Sequence, residues 1–274
     1  MNQFTIHHVD QVVDDETEPN NTAFGINSSK SQFVYGCGDG FWKKQSDIIT
    51  VTKLNDTCFD KIDYLQNYLI NDKIIKFKSQ DQLCIFLTRK GYVYKMGNCS
   101  FINNISNIPT LIKFNNLNTS DKIIDFAIGK EHVVFLSKLN SIFGIGNNEH
   151  GQLAIIAKKS NDVAVNLLQN TNLEKLKVNK IFVTFHLTFF TTFENELYVC
   201  GMNEYSQSFQ PFVIESIVNG KLHVEDYFTL NNFMNVTKLV NKNIEDIKDI
   251  KCNGRTSFII FNDSSIVNSR LYFN

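Results

Sequence analysis

The sequence predicts an all-β fold, an array of similar units such as the blades of a propeller, and two observations carry this prediction. At four places an aromatic residue is followed three positions later by glycine, and these places lie 59, 49 and 55 residues apart. A truncated copy at Leu271-Tyr272 follows 74 residues after the fourth. An apolar segment upstream of each aromatic also recurs. Such a period is typical of propellers and other β arrays. The four pairs are Tyr35 with Gly38, Tyr94 with Gly97, Phe143 with Gly146 and Tyr198 with Gly201.

The upstream segments begin at Lys73, Lys122, Val178 and Ile247. In each of them an apolar run precedes polar turn residues, and a β-branched or aromatic pair follows the turn. Runs of this length and composition, bounded by turn residues, indicate β-strands. Each copy is therefore predicted to be a strand, a turn and a second strand.

The glycine of each copy is predicted to end a strand where the backbone adopts positive φ or passes close to a neighbouring unit. The residue just before it is small or flexible and apolar in all four copies, which predicts a buried position. Gly146→Val is therefore predicted to lower stability. The four preceding residues are Cys37, Met96, Ile145 and Cys200.

Composition predicts one globular domain over residues 1–274, with a strand and an acidic linker over residues 1–30. The chain is 43% hydrophobic and 20% charged, and its 24 phenylalanines supply most of a large core. Neither a basic, apolar secretion signal nor an apolar run of about 20 residues occurs. We therefore expect an intracellular protein, cytoplasmic or nuclear, without a membrane segment. Its six cysteines are expected to be free thiols.

The copies resemble the regulator of chromosome condensation repeat, whose pattern is glycine and histidine before an apolar strand, then an aromatic, glycine, asparagine and a Gly-Gln-Leu run. The fourth copy keeps Tyr198, Gly201, Asn203 and Gln207, but has Ser206 and Ser208 for the last glycine and the leucine. The third copy matches throughout, with Gly129, His132, Phe143, Gly146, Asn148, Gly151, Gln152 and Leu153.

This resemblance implies a β-propeller of four-stranded blades, and it assigns His132 a structural hydrogen bond between neighbouring strands. Family members have about seven blades, so five recognisable repeats predict a short, incomplete or open ring, or six or seven blades with degenerate copies in the joins. An N-terminal strand at residues 4–9 is predicted to pair with residues 271–273 and cover an open edge. The repeats lie near residues 32–45, 73–98, 122–153, 178–208 and 247–274.

No catalytic, cofactor or metal site is predicted. His7 and His8 are adjacent and would point to opposite faces of a strand, whereas His150, His186 and His223 look isolated in sequence. The glycine-rich pieces lack the spacing of a phosphate-binding loop. A net charge of -1 and a pI near 6.6 argue against direct nucleic-acid binding.

Three functions are consistent with these residues, and the first, a non-catalytic protein-binding scaffold, is the commonest use that the resemblance implies. The second is guanine nucleotide exchange on a small GTPase such as Ran. The third is an accessory propeller within a larger signalling or ubiquitin-ligase protein. The partner is another protein in each case, and the oligomeric state is open. Partner contacts are expected in the joining segment 202–245 and the loop 262–270, with unselected loop length as the alternative.

Overall fold

The structure is a computed structural model, and it divides the chain into two compact units. The first contains residues 1–99 and 104–112, and the second contains residues 100–103 and 113–274. For the strands between residues 23 and 61 and between residues 213 and 226, the backbone path alone is described. The described residues are 23–27, 33–37, 41–45, 48–52, 60–61, 72–80, 83–97, 101–102, 109–211, 213–218, 221–226 and 228–269.

The strands of the first unit are β1 (Ala23–Asn27), β2 (Phe33–Cys37), β3 (Phe41–Gln45), β4 (Ile48–Thr52), β5 (Asp60–Lys61), β6 (Ile74–Gln80), β7 (Leu83–Thr88), β8 (Val93–Gly97) and β9 (Thr110–Leu111). They form a three-stranded sheet in the order β1-β2-β5, a hairpin of β3 and β4, and a four-stranded sheet in the order β6-β7-β8-β9.

The second unit begins with β10 (Lys113–Phe114), β11 (Ile123–Ile128), β12 (His132–Ser137), β13 (Ile142–Asn147), β14 (Lys159–Asn166), β15 (Val178–Val183), β16 (Leu187–Thr192), β17 (Leu197–Met202), β18 (Val213–Val218), β19 (Lys221–Asp226) and β20 (Thr229–Asn235). A short helix α1 (Thr237–Val240) and a 3-10 turn (Ile244–Asp246) precede β21 (Ile247–Cys252), β22 (Ser257–Phe261) and β23 (Ile266–Asn268). No helix in the described ranges is long and apolar enough to span a bilayer.

The sheets of the second unit follow one another along the chain. The first is β11-β12-β13-β14, with β10 added in parallel to the outer edge of β14. The next is β15-β16-β17-β20, and the last is β21-β22-β23. Five sheets of three or more strands therefore occur in the described parts of the chain, in the order of the five predicted repeats, and the all-β fold class is confirmed.

Each repeat contains one more strand than the predicted strand, turn and strand. The segment from Lys122 begins with β11, continues into the apolar run as β12, and ends in β13 with the aromatic and glycine. Every residue of β7, β12 and β16 is buried, because these central strands are covered on both faces. The first strand was missed because its apolar residues are three apart, which does not match the period of a regular strand.

A β-bulge explains that spacing of three. In β11 the register of pairing with β12 shifts between Ile123 and Asp125, so that Ile123 and Phe126 are both buried. Equivalent shifts follow Ile74, Val178 and Ile247 in the first strands of three other repeats. A bulge inserts one residue and bends the strand, and here it recurs at one position of the repeat.

The buried faces of neighbouring sheets form the core of the second unit. Phe190 and Tyr198 pack in a cluster with Val134, Leu136 and residues of the β13–β14 connection. The adjacent Phe189 belongs to a second cluster, which includes residues of β21 and β22. Because consecutive strand residues point to opposite faces, β16 fills both clusters at once.

The predicted single domain over residues 1–274 and the closure of a ring stay predictions. The proposed N-terminal strand at residues 4–9, Gly38 and the Leu271-Tyr272 pair lie outside the described residues. The aromatic residues of the other copies, Tyr94, Phe143 and Tyr198, each lie in the third strand of their repeat.

Candidate functional site

Five connections of the second unit meet at one end of its sheets, which we call the loop face. Register pairing places the start of β12 beside the end of β13, and the start of β20 beside the end of β17. Contacts from each repeat to the next then bring the equivalent ends together, as described below. The connections are residues 129–131, 148–158, 184–186, 203–211 and 253–256.

Asn148 organises the β13–β14 connection. Its side-chain amide donates to the carbonyls of Ile155 and Ala157, at 2.7 and 2.9 Å, and its Oδ1 accepts from the Leu153 amide at 2.8 Å. Leu153 itself is fully buried. The asparagine and leucine of the repeat signature are therefore structural residues.

Asn203 builds the equivalent connection in the next repeat, although Ser208 stands where Leu153 stands. Both the backbone amide and the hydroxyl of Ser208 donate to Asn203 Oδ1, at 3.0 and 2.6 Å. The Asn203 amide donates to the carbonyl of Gln210 at 3.0 Å. The departure from the signature preserves the same loop, because the Ser208 amide bonds to Asn203 as the Leu153 amide bonds to Asn148. The serine hydroxyl adds one more hydrogen bond.

Gly151 has φ +71°, and a Cβ added there would lie 2.7 Å from the carbonyl oxygen of Leu230. At the equivalent position Ser206 adopts φ 57° despite its side chain. We expect Gly151→Ala to lower the free energy of unfolding by roughly 2–3 kcal/mol, since it adds a clash with backbone to left-handed strain. Ser206→Gly should change it by less than about 1 kcal/mol. Urea unfolding of both variants checks this, and equal losses would contradict it.

His132 connects two repeats and is not exposed to solvent. Its Nε2 lies 2.9 Å from Thr188 Oγ1 in β16, and that hydroxyl donates to the carbonyl of Gln152 at 2.6 Å. Because the hydroxyl proton is used on Gln152, His132 donates from Nε2. Burial, followed by the nearby His186, lowers the pKa of His132 to about 3. The geometry agrees with the predicted hydrogen bond between strands.

His150 and His186 are not isolated in space, contrary to the expectation from sequence. Their ring centroids lie 4.6 Å apart, and Phe185 packs edge-on to His186 at 4.6 Å. Burial and His150 lower the pKa of His186 to about 4, although Glu131 opposes the shift. Within the described ranges, no three His, Cys, Asp or Glu side chains are grouped so as to hold a metal ion.

Cations lie over aromatic rings at two places on the loop face where one repeat meets the next. Lys130 Nζ lies 4.4 Å from the centroid of Phe185, and Arg255 Cζ lies 5.1 Å from that of Tyr205. The aromatic side chains are 40% and 43% exposed. In each pair one residue belongs to a repeat and the other to its successor, and the Lys130 amide also donates to the Phe185 carbonyl at 3.0 Å.

Ile156, which is fully exposed, and Phe228 add to the apolar surface of the loop face. Its exposed charged residues are Lys130, Glu149, Lys158, Lys159, Glu204 and Arg255.

The hairpin of β18 and β19 lies within the joining segment 202–245 where partner contacts were expected. It is inserted between Met202 and Thr229, which are register partners at the loop face. The sequence signal for it is Asn219-Gly220 between two strand-like runs, a pattern typical of a two-residue hairpin turn.

Three glycines that follow the repeat aromatics adopt positive φ. Gly97, Gly146 and Gly201 end or nearly end the third strand of their repeats with φ between +111° and +121°. Gly129 is different, because a Cβ there would lie 2.6 Å from both His132 Cε1 and the Thr184 carbonyl oxygen.

The cysteines whose side chains are described, Cys84, Cys200 and Cys252, are free thiols. Burial raises the pKa of Cys84 to about 12 and also raises that of Cys200. A thiol is nucleophilic as the thiolate, so these two buried groups are unreactive components of the core.

No protein-family model and no curated protein matches the sequence. Among solved structures, the crystal structure of human WBSCR16 superposes with a TM-score of 0.62 at 13% identity, over 90% of this chain and 59% of the other. Yeast RCC1 (Prp20), solved bound to Kap60, superposes with a TM-score of 0.47 at 14% identity, over 91% of this chain and 68% of the other. A structure of Prp20p from Saccharomyces cerevisiae superposes with a TM-score of 0.46 at 13% identity, over 91% of this chain and 69% of the other. It is described with the binding of Prp20p to Gsp1p and histones.

This chain thus spans 59% of the length of the WBSCR16 chain. At such identities the likeness concerns the fold and not the activity. Together with the repeated sheets, the bulges at one position of four repeats and the Asn-centred connections, it shows a β-propeller fold like that of WBSCR16.

Proposed function

We propose that this protein is a non-catalytic scaffold that binds another protein through the loop face of its second unit. The observation that carries the proposal is the presence of two exposed cation and aromatic pairs, Lys130 with Phe185 and Arg255 with Tyr205, each joining two successive repeats. Aromatic residues and arginine are the side chains that most often dominate the binding energy of protein interfaces.

The pairs are held by the fold, so little conformational entropy remains to be lost on binding. The Tyr205 amide donates to Gln207 Oε1 at 2.8 Å, and Asn253 Oδ1 accepts from the Arg255 amide at 3.1 Å. Preorganised contact residues increase affinity because their ordering cost has already been met in folding. Ile156 and Phe228 extend the apolar area between the charged residues.

Three side chains of reactive types are buried in the described parts of the chain. His132 is fully buried, and Cys84 in the first unit and Cys200 in the second are buried thiols, so these groups do not face a substrate. These three side chains therefore contribute to structure. Guanine nucleotide exchange would be one form of protein binding, and membership of a larger signalling or ubiquitin-ligase protein would be another.

The test compares two double variants of the purified full-length chain. Phe185→Ala with Tyr205→Ala truncates the loop face, whereas Leu139→Ala with Phe193→Ala truncates two side chains that are each 56% exposed at the other end of the same sheets. We expect the first variant to bind its captured partner at least tenfold more weakly, and the second to bind as the native chain does. Equal affinities of the two variants would refute the proposal.

Release of a fluorescent GDP from Ran and related GTPases separates scaffold from exchange factor. We expect no acceleration by the folded native chain. Acceleration at catalytic amounts of protein, lost in the Phe185 and Tyr205 variant, would identify the partner as a GTPase and the activity as exchange.

A further inference from the structure

Asn253 and Gly254 belong to the connection between β21 and β22, on the loop face. Asn253 is exposed, and apart from chain neighbours no atom lies within 4 Å of the place that a Cβ on Gly254 would take. Asparagine is thermolabile because a backbone nitrogen can attack its side-chain carboxamide, and the nitrogen of a following glycine is the least hindered, since glycine has no Cβ. This dipeptide therefore combines a reactive sequence with an accessible position.

The carboxamide of Asn253 is held in one orientation by two backbone amides. Its Oδ1 accepts hydrogen bonds from the amides of Arg255 and Thr256, at 3.1 and 2.9 Å. Attack on the neighbouring Cγ puts negative charge on this oxygen, and hydrogen-bond donors that already point at a developing oxyanion lower the barrier to its formation. Nδ2, the group that must depart, has no hydrogen-bond partner among the described residues. These contacts favour the attack on Cγ.

The nitrogen of Gly254, which is the nucleophile of such an attack, takes no part in the sheet. The last register pair of β21 and β22 is Cys252 with Ser257. The Gly254 N–H instead donates to Sγ of Cys252 at 3.3 Å, and a thiol sulfur is a weak acceptor. Removal of this proton by hydroxide therefore breaks one weak hydrogen bond and no pairing between strands.

We propose that Asn253 is a site of spontaneous deamidation in the folded chain. Hydroxide removes the Gly254 N–H proton, and the nitrogen forms a bond to Asn253 Cγ. The Cγ–Nδ2 bond then breaks, and Nδ2 takes a proton from water and leaves as ammonia, so that a five-membered succinimide remains. Water adds to one of the two ring carbonyls and opens the ring, which yields aspartate or isoaspartate at position 253. Water is the net co-reactant, and nothing is oxidised or reduced.

The products change the loop face at one of its cation and aromatic pairs. Arg255 lies two residues after the site, with Cζ 5.1 Å from the centroid of the Tyr205 ring. Both products add a carboxylate close to this cation in sequence, and isoaspartate also lengthens the backbone by one methylene before Arg255. The deamidation itself is independent of the proposed function, and only its effect on partner binding rests on that proposal.

Mass spectrometry of peptides from the full-length chain, incubated folded at pH 7 and pH 8, tests the proposal. We expect the peptide that contains Asn253 to gain the mass difference between an acid and an amide, in two isomers that separate by chromatography. Conversion should be about tenfold faster at pH 8, because hydroxide generates the nucleophile. Sequencing of the peptides distinguishes this site from Asn219-Gly220, the same dipeptide between β18 and β19.

Two controls separate this site from general ageing of asparagine. Gly254→Ala should convert roughly tenfold more slowly, since its Cβ hinders the attack of the nitrogen. Asn118 has an Oδ1 that accepts from the Ser120 amide at 3.0 Å, but the β-branched Thr119 follows it. We expect Asn118 to stay unchanged while Asn253 is converted.

Circular dichroism before and after incubation confirms that each sample is folded. Conversion at position 253 of the folded chain that slows in Gly254→Ala supports the proposal. The proposal is overturned if position 253 of the folded chain is still asparagine when the chain unfolded in guanidinium chloride has converted, or if Gly254→Ala converts at the native rate. If Gly254→Ala fails to fold, the pH dependence and the comparison with Asn118 still decide.

Discussion

Gly146→Val is expected to lower the free energy of unfolding by roughly 3–5 kcal/mol. Gly146 has φ +121°, which valine reaches only with strain, and an added Cβ would lie 2.5 Å from the Glu131 carbonyl oxygen and 2.7 Å from His132 Cα. Both contacts are with backbone, so no side-chain rotation relieves them. The measurement is urea unfolding followed by circular dichroism, with the native chain in parallel.

Gly254→Ala is the matched control, because it separates the strain of positive φ from the close approach of a neighbouring strand. Gly254 has φ +88°, but an added Cβ would meet no atom within 4 Å. We expect this variant to lose only about 1–2 kcal/mol. If Gly146→Val melted at the native temperature, or lost no more than Gly254→Ala, the assignment of the glycine to close packing between strands would be wrong.

Acidification from about pH 6.5 to pH 3 is expected to destabilise the protein through His132. The native pKa of this histidine is about 3, and its ordinary value is 6.5. Between these values the unfolded chain binds a proton that the native chain excludes, so stability falls as pH falls, by at most about 1.4 kcal/mol per pH unit for one histidine. His186, with a pKa lowered to about 4, contributes in the same direction.

His132→Leu tests this dependence, because leucine occupies the equivalent position in two other repeats, as Leu83 and Leu187. At pH 7 the variant should lose about 1–3 kcal/mol, since the buried Thr188 hydroxyl loses its donor. Its stability should then depend less on pH, with the contribution of His186 remaining. Unfolding curves at pH 7, 6, 5 and 4 give both slopes, and parallel slopes for variant and native chain would contradict the account.

The repeat and its glycines could be predicted from the sequence because their cause is local. The aromatic and glycine recur at one spacing, and the positive φ of Gly97, Gly146 and Gly201 follows from the residue type itself. The strand upstream of each apolar run was missed because its β-bulge gives a spacing of three, as between Ile74 and Phe77. Once the bulge is recognised as part of the repeat, that spacing is itself a signal.

The resemblance implied four-stranded blades, but the bounds of the fourth strand could not be predicted, because the pairing of this strand depends on residues far away in the chain. β20 pairs with β17 only after the inserted hairpin, and the start of β14 lies 12 residues after the end of β13 at Asn147. The proximity of His150 and His186 is likewise tertiary, since it arises where one repeat packs on the next. Nothing in the sequence indicated that the side chains of Phe185 and Tyr205 are exposed, because aromatic residues are more often buried.

A photoreactive phenylalanine analogue at position 185 gives the most direct test of binding at the loop face. The same analogue at position 193 is its control, because Phe185 and Phe193 flank the same strand, β16, and are both exposed. The account predicts that irradiation in cell lysate cross-links a distinct protein from position 185 and not from position 193. The same product from both positions, or a product from position 193 alone, would contradict it.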